Sequence, residues 1–207
     1  MKNGKYAKRG VATKALVVVL AVMMIVGATI GGTIAWLMDS TETVTNTFTV
    51  GDVNITLKES PLKEDGTYGT PAEGVTNAYK LIPGETYKKD PKVTVVGGSE
   101  KCYLFVKFEE NGDAAKYITY TSELTVEKGW TQGTGEIPGN VWYRTVDASN
   151  EDQSWELLAG NTITINADTV TKDTMTAASA AELVYTAYAV QFDNIDSAAA
   201  AWAIANS

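Results

Sequence analysis

Short runs of alternating apolar and polar residues, separated by clusters of glycine, proline, asparagine and aspartate, recur along this 207-residue chain beyond Asp39. Valine, threonine and tyrosine, which favour strands, are frequent in these runs. Successive side chains of a strand point to opposite faces, so a period of two predicts strands rather than helices. The number of such runs, about nine or ten, predicts an all-β fold, a β-sandwich of jelly-roll type.

Two runs are long enough to predict the principal strands. Cys102 to Phe108 is apolar on both faces, which is typical of a central strand, and Leu183 to Phe192 predicts a long terminal strand. Thr45 to Lys58 predicts either a pair of strands or one kinked strand, with Gly51-Asp52 at the turn or bulge. Thr86 to Val96 predicts a single strand, and the proline inside it favours a sheet edge.

The last residues, 196–207, predict a short helix after the β-sandwich domain of residues 51–195. Asp196 or Ser197 is a suitable N-cap for the alanine-rich run that follows, and alanine has the highest helix propensity. Trp202 provides the apolar residue with which this helix would pack on the domain.

The N-terminal residues have the pattern of an export signal. Five cations precede an uncharged run from Ala15 to Met38, whose strongly apolar part ends near Val26. A basic region, a short apolar region and then small residues are typical of a cleaved signal peptide. We expect residues 1–35 to be a signal peptide, cleaved between Ala35 and Trp36. The alternative is an uncleaved hydrophobic helix that anchors the chain in the membrane. Either form places the remainder outside the cytoplasm.

The charge of the chain excludes some classes of partner. The net charge is −8, and residues 1–35 carry five cations and no acid, so cleavage would leave a net charge of −13. Phosphate binding needs clustered lysine and arginine, so we expect no nucleic-acid partner. We expect membrane contact only through an uncleaved signal segment.

The absence of histidine limits the chemistry. A Ser-His-Asp triad, a Cys-His pair and a histidine zinc helix all require a residue that this chain lacks. The single cysteine, Cys102, lies in an apolar run, which favours a buried hydrophobic residue over a reactive thiol. We predict no catalytic residues, no metal ligands and no cofactor.

Two acidic segments leave calcium binding as an alternative. Residues 147–152 place oxygen ligands at alternate positions, but they lack the glycine and the distal glutamate of an EF-hand loop. Glu109, Glu110 and Asp113 follow a predicted strand and could also collect a cation. In both segments we favour solvated acidic loops.

Residues 36–50 form a threonine- and valine-rich segment that would begin the mature chain. Val44, Phe48 and Val50 share one face of a predicted strand. A strand-forming N-terminus can pair with an open sheet edge on another molecule, which would make these residues a donor strand. The alternative is that the segment pairs within its own domain.

Several segments together resemble the TasA/camelysin (CalY) family of Gram-positive bacteria. They are the junction from Gly31 to Asp39, the segment from Asn46 to Ile55, the runs Leu81 to Thr86 and Lys89 to Val93, and the ending from Ala187 to Trp202. The resemblance is weak across residues 110–180.

The resemblance implies secretion through a SipW-type signal peptidase, a jelly-roll domain and assembly into biofilm-matrix fibres. The donor strand would correspond to Thr41 to Val50, and the partners would be copies of this chain or related matrix subunits. We therefore expect a non-enzymatic structural protein, a fibre subunit or accessory, in the extracellular matrix or at the cell surface. Two alternatives remain open, a camelysin-like surface metallo-endopeptidase and a monomeric surface adhesin.

Overall fold

The structure is a computed structural model that describes the backbone of residues 46–50 and the whole of residues 52–207. This part of the chain contains eleven strands and a few short helices. The strands are β1 (Asn46–Val50), β2 (Ile55–Lys58), β3 (Thr86–Lys88), β4 (Lys92–Val95), β5 (Cys102–Asn111), β6 (Ile118–Thr119), β7 (Thr131–Gln132), β8 (Val141–Val146), β9 (Gln153–Glu156), β10 (Thr162–Ile165) and β11 (Glu182–Gln191). The predominance of strands confirms the all-β prediction.

Three helices are α-helical, namely α1 (Ala114–Tyr117), α2 (Met175–Ala178) and α3 (Ala198–Ala205). Two short 3₁₀ segments, Val126–Lys128 and Ala159–Asn161, lie between strands. The predicted C-terminal helix is therefore present as α3. Ser197 is its N-cap, because the Ser197 hydroxyl accepts a hydrogen bond from the backbone N–H of Ala200 at 3.1 Å.

The strands form one five-stranded sheet, in the order β1-β11-β5-β8-β7. Every pair in it is antiparallel except β1 and β11, which are parallel. The longest ladder joins β5 and β11 over ten residue pairs, from Cys102–Gln191 to Asn111–Glu182. The central strand predicted from Cys102 to Phe108 and the long terminal strand are thus confirmed, and they are neighbours.

Two three-stranded sheets, β2-β4-β9 and β3-β10-β6, contain the other strands and are antiparallel. The prediction of a single edge strand from Thr86 to Val96 is wrong. The chain leaves one small sheet after β3 and enters the other at β4, which is the central strand there. Pro91 lies at the point of transfer: it has no N–H to donate, but its carbonyl accepts a hydrogen bond from Leu157 N at 3.0 Å.

One large cluster of buried side chains, the main core, collects residues from all three sheets. Alternate residues of β5 and β11 belong to it, including Cys102, Leu104, Ala187 and Ala189. The inward residues of the small sheets also belong, such as Val93, which is completely buried. Period-two alternation along the strands therefore produces a shared apolar interior.

A second cluster lies on the opposite face of the five-stranded sheet, and we call it the outer cluster. Its buried members are Tyr103, Phe105, Ile137, Val141, Val190, Ala201 and Trp202. Helix α3 supplies Ala201 and Trp202, so this helix covers the face that β5 and β11 turn away from the main core. Both faces of β5 are therefore covered, which explains why this strand is apolar on both faces.

Candidate functional site

Strand β1 lies at one edge of the five-stranded sheet, and its neighbour in the sheet is β11. The parallel register pairs Asn46 with Thr186 and continues residue by residue to Val50 and Val190. Phe48 is thus in register with Tyr188 and Val50 with Val190. In this structure the segment pairs within its own chain, one of the two alternatives that the sequence left open.

Strand β11 presents different residues to the two sides of the sheet along the stretch that pairs with β1. Ala187 and Ala189 belong to the main core, whereas Tyr188 and Val190 pack with the outer cluster under α3. The Tyr188 and Trp202 rings meet edge to face, with centroids 5.2 Å apart. The edge of β11 that pairs with β1 is therefore backed by packed side chains on both faces.

The remaining predicted assembly and processing residues lie outside the part of the chain that the structure describes. They are Ala35 and Trp36 at the predicted cleavage junction and Val44 at the start of the predicted donor face. Cleavage, the N-terminal hydrophobic helix and the position of Val44 stay predictions.

A buried polar network, which sequence reasoning missed, lies where β2 and β3 end. Glu59 directly follows β2 and Lys89 directly follows β3, and their side chains are 4% and 2% exposed. The ammonium of Lys89 donates to both carboxylate oxygens of Glu59, at 3.3 Å and 3.1 Å. Burying two charges is costly unless they are paired and hydrogen-bonded, which explains why they occur together.

Asn77 and Tyr79 also donate hydrogen bonds to the Glu59 carboxylate. The Asn77 amide donates to Glu59 Oε1 at 2.8 Å, and the Tyr79 hydroxyl donates to the same oxygen at 3.0 Å. Asn77 is 2% exposed. Burial, together with the nearby negative charge of Glu59, raises the pKa of Tyr79 well above its usual range, so its hydroxyl remains a donor.

The loop after Glu59 holds Asn77 in a fixed orientation. The Asn77 amide nitrogen also donates to the carbonyl of Ser60 at 2.9 Å, and Asn77 Oδ1 accepts from the backbone N–H of Leu62 at 2.6 Å. Ser60 is itself bound to the Asp90 carboxylate through its N–H and its hydroxyl, at 2.8 Å and 2.7 Å. Every polar atom of the Asn77 side chain therefore has a partner.

The acidic segment 147–152 serves to hold two loops together. Asp152 accepts from the backbone N–H of Gly97 at 2.8 Å, and the Ser149 carbonyl accepts from Gly98 N at 2.7 Å. Asp147 pairs with Lys101 at 2.9 Å. Among the described residues, no group of three or more His, Cys, Asp or Glu side chains is placed to hold one metal ion.

Cys102 is completely buried in the main core, as expected for a small hydrophobic residue. Burial raises the pKa of its thiol to about 11. A raised pKa means less thiolate at a given pH, and the thiolate is the reactive form.

We therefore expect Cys102 to resist alkylation by iodoacetamide at pH 8 in the folded protein and to react readily in urea. The shift of the pKa alone reduces the thiolate fraction about a hundredfold, and burial blocks access as well. Mass spectrometry of timed samples measures the labelled fraction. Equal labelling rates with and without urea would contradict the buried position.

The helices described in residues 46–50 and 52–207 include none that is long and apolar enough to cross a bilayer. No family model, no curated protein and no solved structure matches this chain.

Proposed function

We propose that this chain is a secreted structural protein, a subunit or accessory of biofilm-matrix fibres, that assembles by donating its N-terminal strand to a neighbouring subunit. The observation that supports the proposal is the position of β1, which is at the sheet edge and is joined to the rest of the domain by a short connection before β2. In the assembled form, the β1 segment of one subunit would take the same register on β11 of the next.

Such an exchange should cost little free energy. The hydrogen bonds and side-chain contacts that β1 makes with its own β11 would be made again with another copy, so exchange changes little besides the linking segment. A head-to-tail exchange generates open filaments when the rotation between successive subunits does not close into a ring. The resemblance to the TasA/camelysin family favours this mode over a closed dimer.

The proposal includes finer features of the fold and of export. The three sheets would correspond to a jelly-roll β-sandwich, and a SipW-type signal peptidase would cleave between Ala35 and Trp36. Cleavage would free the mature N-terminus, so that export and competence for assembly would arise from one event. The net charge of −13 expected for the mature chain suits a protein that stays soluble until strands are exchanged.

The test is deletion of residues 36–50 from the mature protein. We expect the deletion variant to remain folded, because the described members of the main core already join residues of all three sheets, and to form no filaments. Electron microscopy and sedimentation of both proteins measure assembly, and circular dichroism checks the fold. N-terminal sequencing of the exported protein determines whether it begins at Trp36.

A synthetic peptide of residues 41–50 provides the matched control. It should bind to the deletion variant in trans, because the edge of β11 is then open, whereas a scrambled peptide of the same composition should not. Filaments of unchanged length and amount from the deletion variant would refute strand donation. Chelator-sensitive cleavage of casein would support an endopeptidase instead, and glycan binding by a lasting monomer would support an adhesin.

A further inference from the structure

We propose that the side chains of Lys89 and Asn77 become joined by an amide bond that the folded chain forms by itself, with Glu59 as the group that transfers the protons. The inference rests on the buried network of these three residues and is independent of strand donation. Such a bond would link the end of the loop after β2 to the residue that follows β3.

The two reacting nitrogen atoms are both hydrogen-bonded to the same oxygen of Glu59. Glu59 Oε1 accepts from Lys89 Nζ at 3.3 Å and from Asn77 Nδ2 at 2.8 Å, so the attacking nitrogen and the leaving nitrogen flank the same carboxylate atom. Lys89 is the one lysine among the residues with described burial that is fully buried, and Asn77 and Glu59 are buried beside it. Holding the reactants together in a fixed site replaces an encounter in solution by an intramolecular step.

The carbonyl of Asn77 is also activated. Its Oδ1 accepts the backbone N–H of Leu62 at 2.6 Å, a donor that can stabilise negative charge on that oxygen as the amide is attacked. The Tyr79 hydroxyl donates to Glu59 Oε1 at 3.0 Å and holds the carboxylate in place. Water is excluded by the burial of all three reacting side chains, which strengthens these electrostatic effects.

The chemistry needs no external reactant. The Lys89 ammonium gives one proton to Glu59, which neutralises two buried charges at once, and the free amine attacks Asn77 Cγ. The new N–C bond forms as the C=O π electrons move to Oδ1. Glu59 then gives its proton to Nδ2 and takes another from Nζ. The C=O bond forms again as the C–Nδ2 bond breaks, and ammonia leaves. One hydrogen stays on the amide nitrogen, three leave with the ammonia, and the last remains on Glu59.

The neighbouring lysine, Lys88 at the end of β3, provides a contrast. Lys88 directs its Nζ to Asp90 at 2.9 Å and to the Ser60 hydroxyl at 2.9 Å, and its side chain is 43% exposed. Its partners include no side-chain amide, so it has no carbonyl carbon of this kind to attack. Of these two neighbouring lysines, only Lys89 is therefore placed for the reaction.

The test is the intact mass of the purified, fully folded protein. We expect most molecules to be lighter than the sequence mass by one ammonia molecule. After trypsin digestion, peptide 64–80 should be found joined to peptide 89–92, because acylated Lys89 is no longer a cleavage site. A full sequence mass, with Asn77 and Lys89 in separate linear peptides, would overturn the proposal.

Two controls separate this bond from other causes of ammonia loss. Asn111 precedes Gly112, and cyclisation of such an asparagine also expels ammonia, so a loss mapped to peptide 108–116 alone, with no joined peptide, would overturn the proposal. Glu59→Gln removes the proton acceptor and should abolish the joined peptide, whereas Lys92→Arg, at an exposed lysine three residues from Lys89, should retain it. Full retention of the joined peptide in Glu59→Gln would rule out the assigned role of Glu59.

Discussion

Replacing Lys89 by alanine is expected to lower the free energy of unfolding by about 3–5 kcal/mol, because it leaves the buried Glu59 carboxylate without its positive partner. The remaining donors, Asn77 and Tyr79, satisfy hydrogen bonds but carry no charge. Urea unfolding followed by tryptophan fluorescence measures the loss. In molecules that carry the amide bond, Glu59 holds a proton and has no positive partner. There the substitution removes the cross-link instead, which also lowers the stability.

Lys92→Ala is the matched control for this prediction. Lys92 pairs with Glu156 at 3.8 Å, and both side chains are 49% exposed, so its loss should cost between zero and about 1 kcal/mol. A double variant, Glu59→Gln with Lys89→Met, should recover part of the stability lost in Lys89→Ala, since no unpaired charge then remains. Equal effects of Lys89→Ala and Lys92→Ala would contradict the view that burial makes the pair important.

The strands could be predicted from the sequence wherever alternation extended over many residues. The sequence predicts the two longest strands, β5 and β11, within a few residues. It also predicts Trp202 as the anchor of α3 and either Asp196 or Ser197 as its N-cap, and the structure has Ser197. In these segments, the residues that favour the observed secondary structure are also residues that the fold buries. The division of residues 86–96 between two sheets could not be predicted, because a proline break in one strand and a change of sheet have the same sequence pattern.

The buried network could not be predicted for a different reason. Glu59, Asn77 and Lys89 are separated by up to 30 residues, and a chain with 25 acidic residues offers many pairs of equal merit. The segment between β2 and β3 is rich in polar residues, glycine and proline, a composition that usually stays at the surface. Only the tertiary fold shows that Glu59 and Asn77 are buried in the interior.

Replacing Trp202 by alanine is expected to destabilise the protein by about 3–5 kcal/mol, the range for large aromatic side chains removed from a core. Trp202 is 5% exposed and contacts the Phe105 and Tyr188 rings, with centroids 5.4 Å and 5.2 Å away. Helix α3 has only eight residues, too few to be stable alone, so its position depends on this contact. Loss of the side chain should therefore release the helix and uncover the outer cluster.

The exposed Ile204 on the same helix provides the control. It is 37% exposed, and Ile204→Ala should cost less than about 1 kcal/mol while preserving the helix. Hydrogen exchange of residues 198–205 would report whether Trp202→Ala frees the helix before the domain unfolds. Because Tyr188 lies on the strand that pairs with β1, exchange should also rise along residues 186–190. Unchanged protection of both segments in Trp202→Ala would show that α3 is held by other contacts and that the sheet edge does not depend on it.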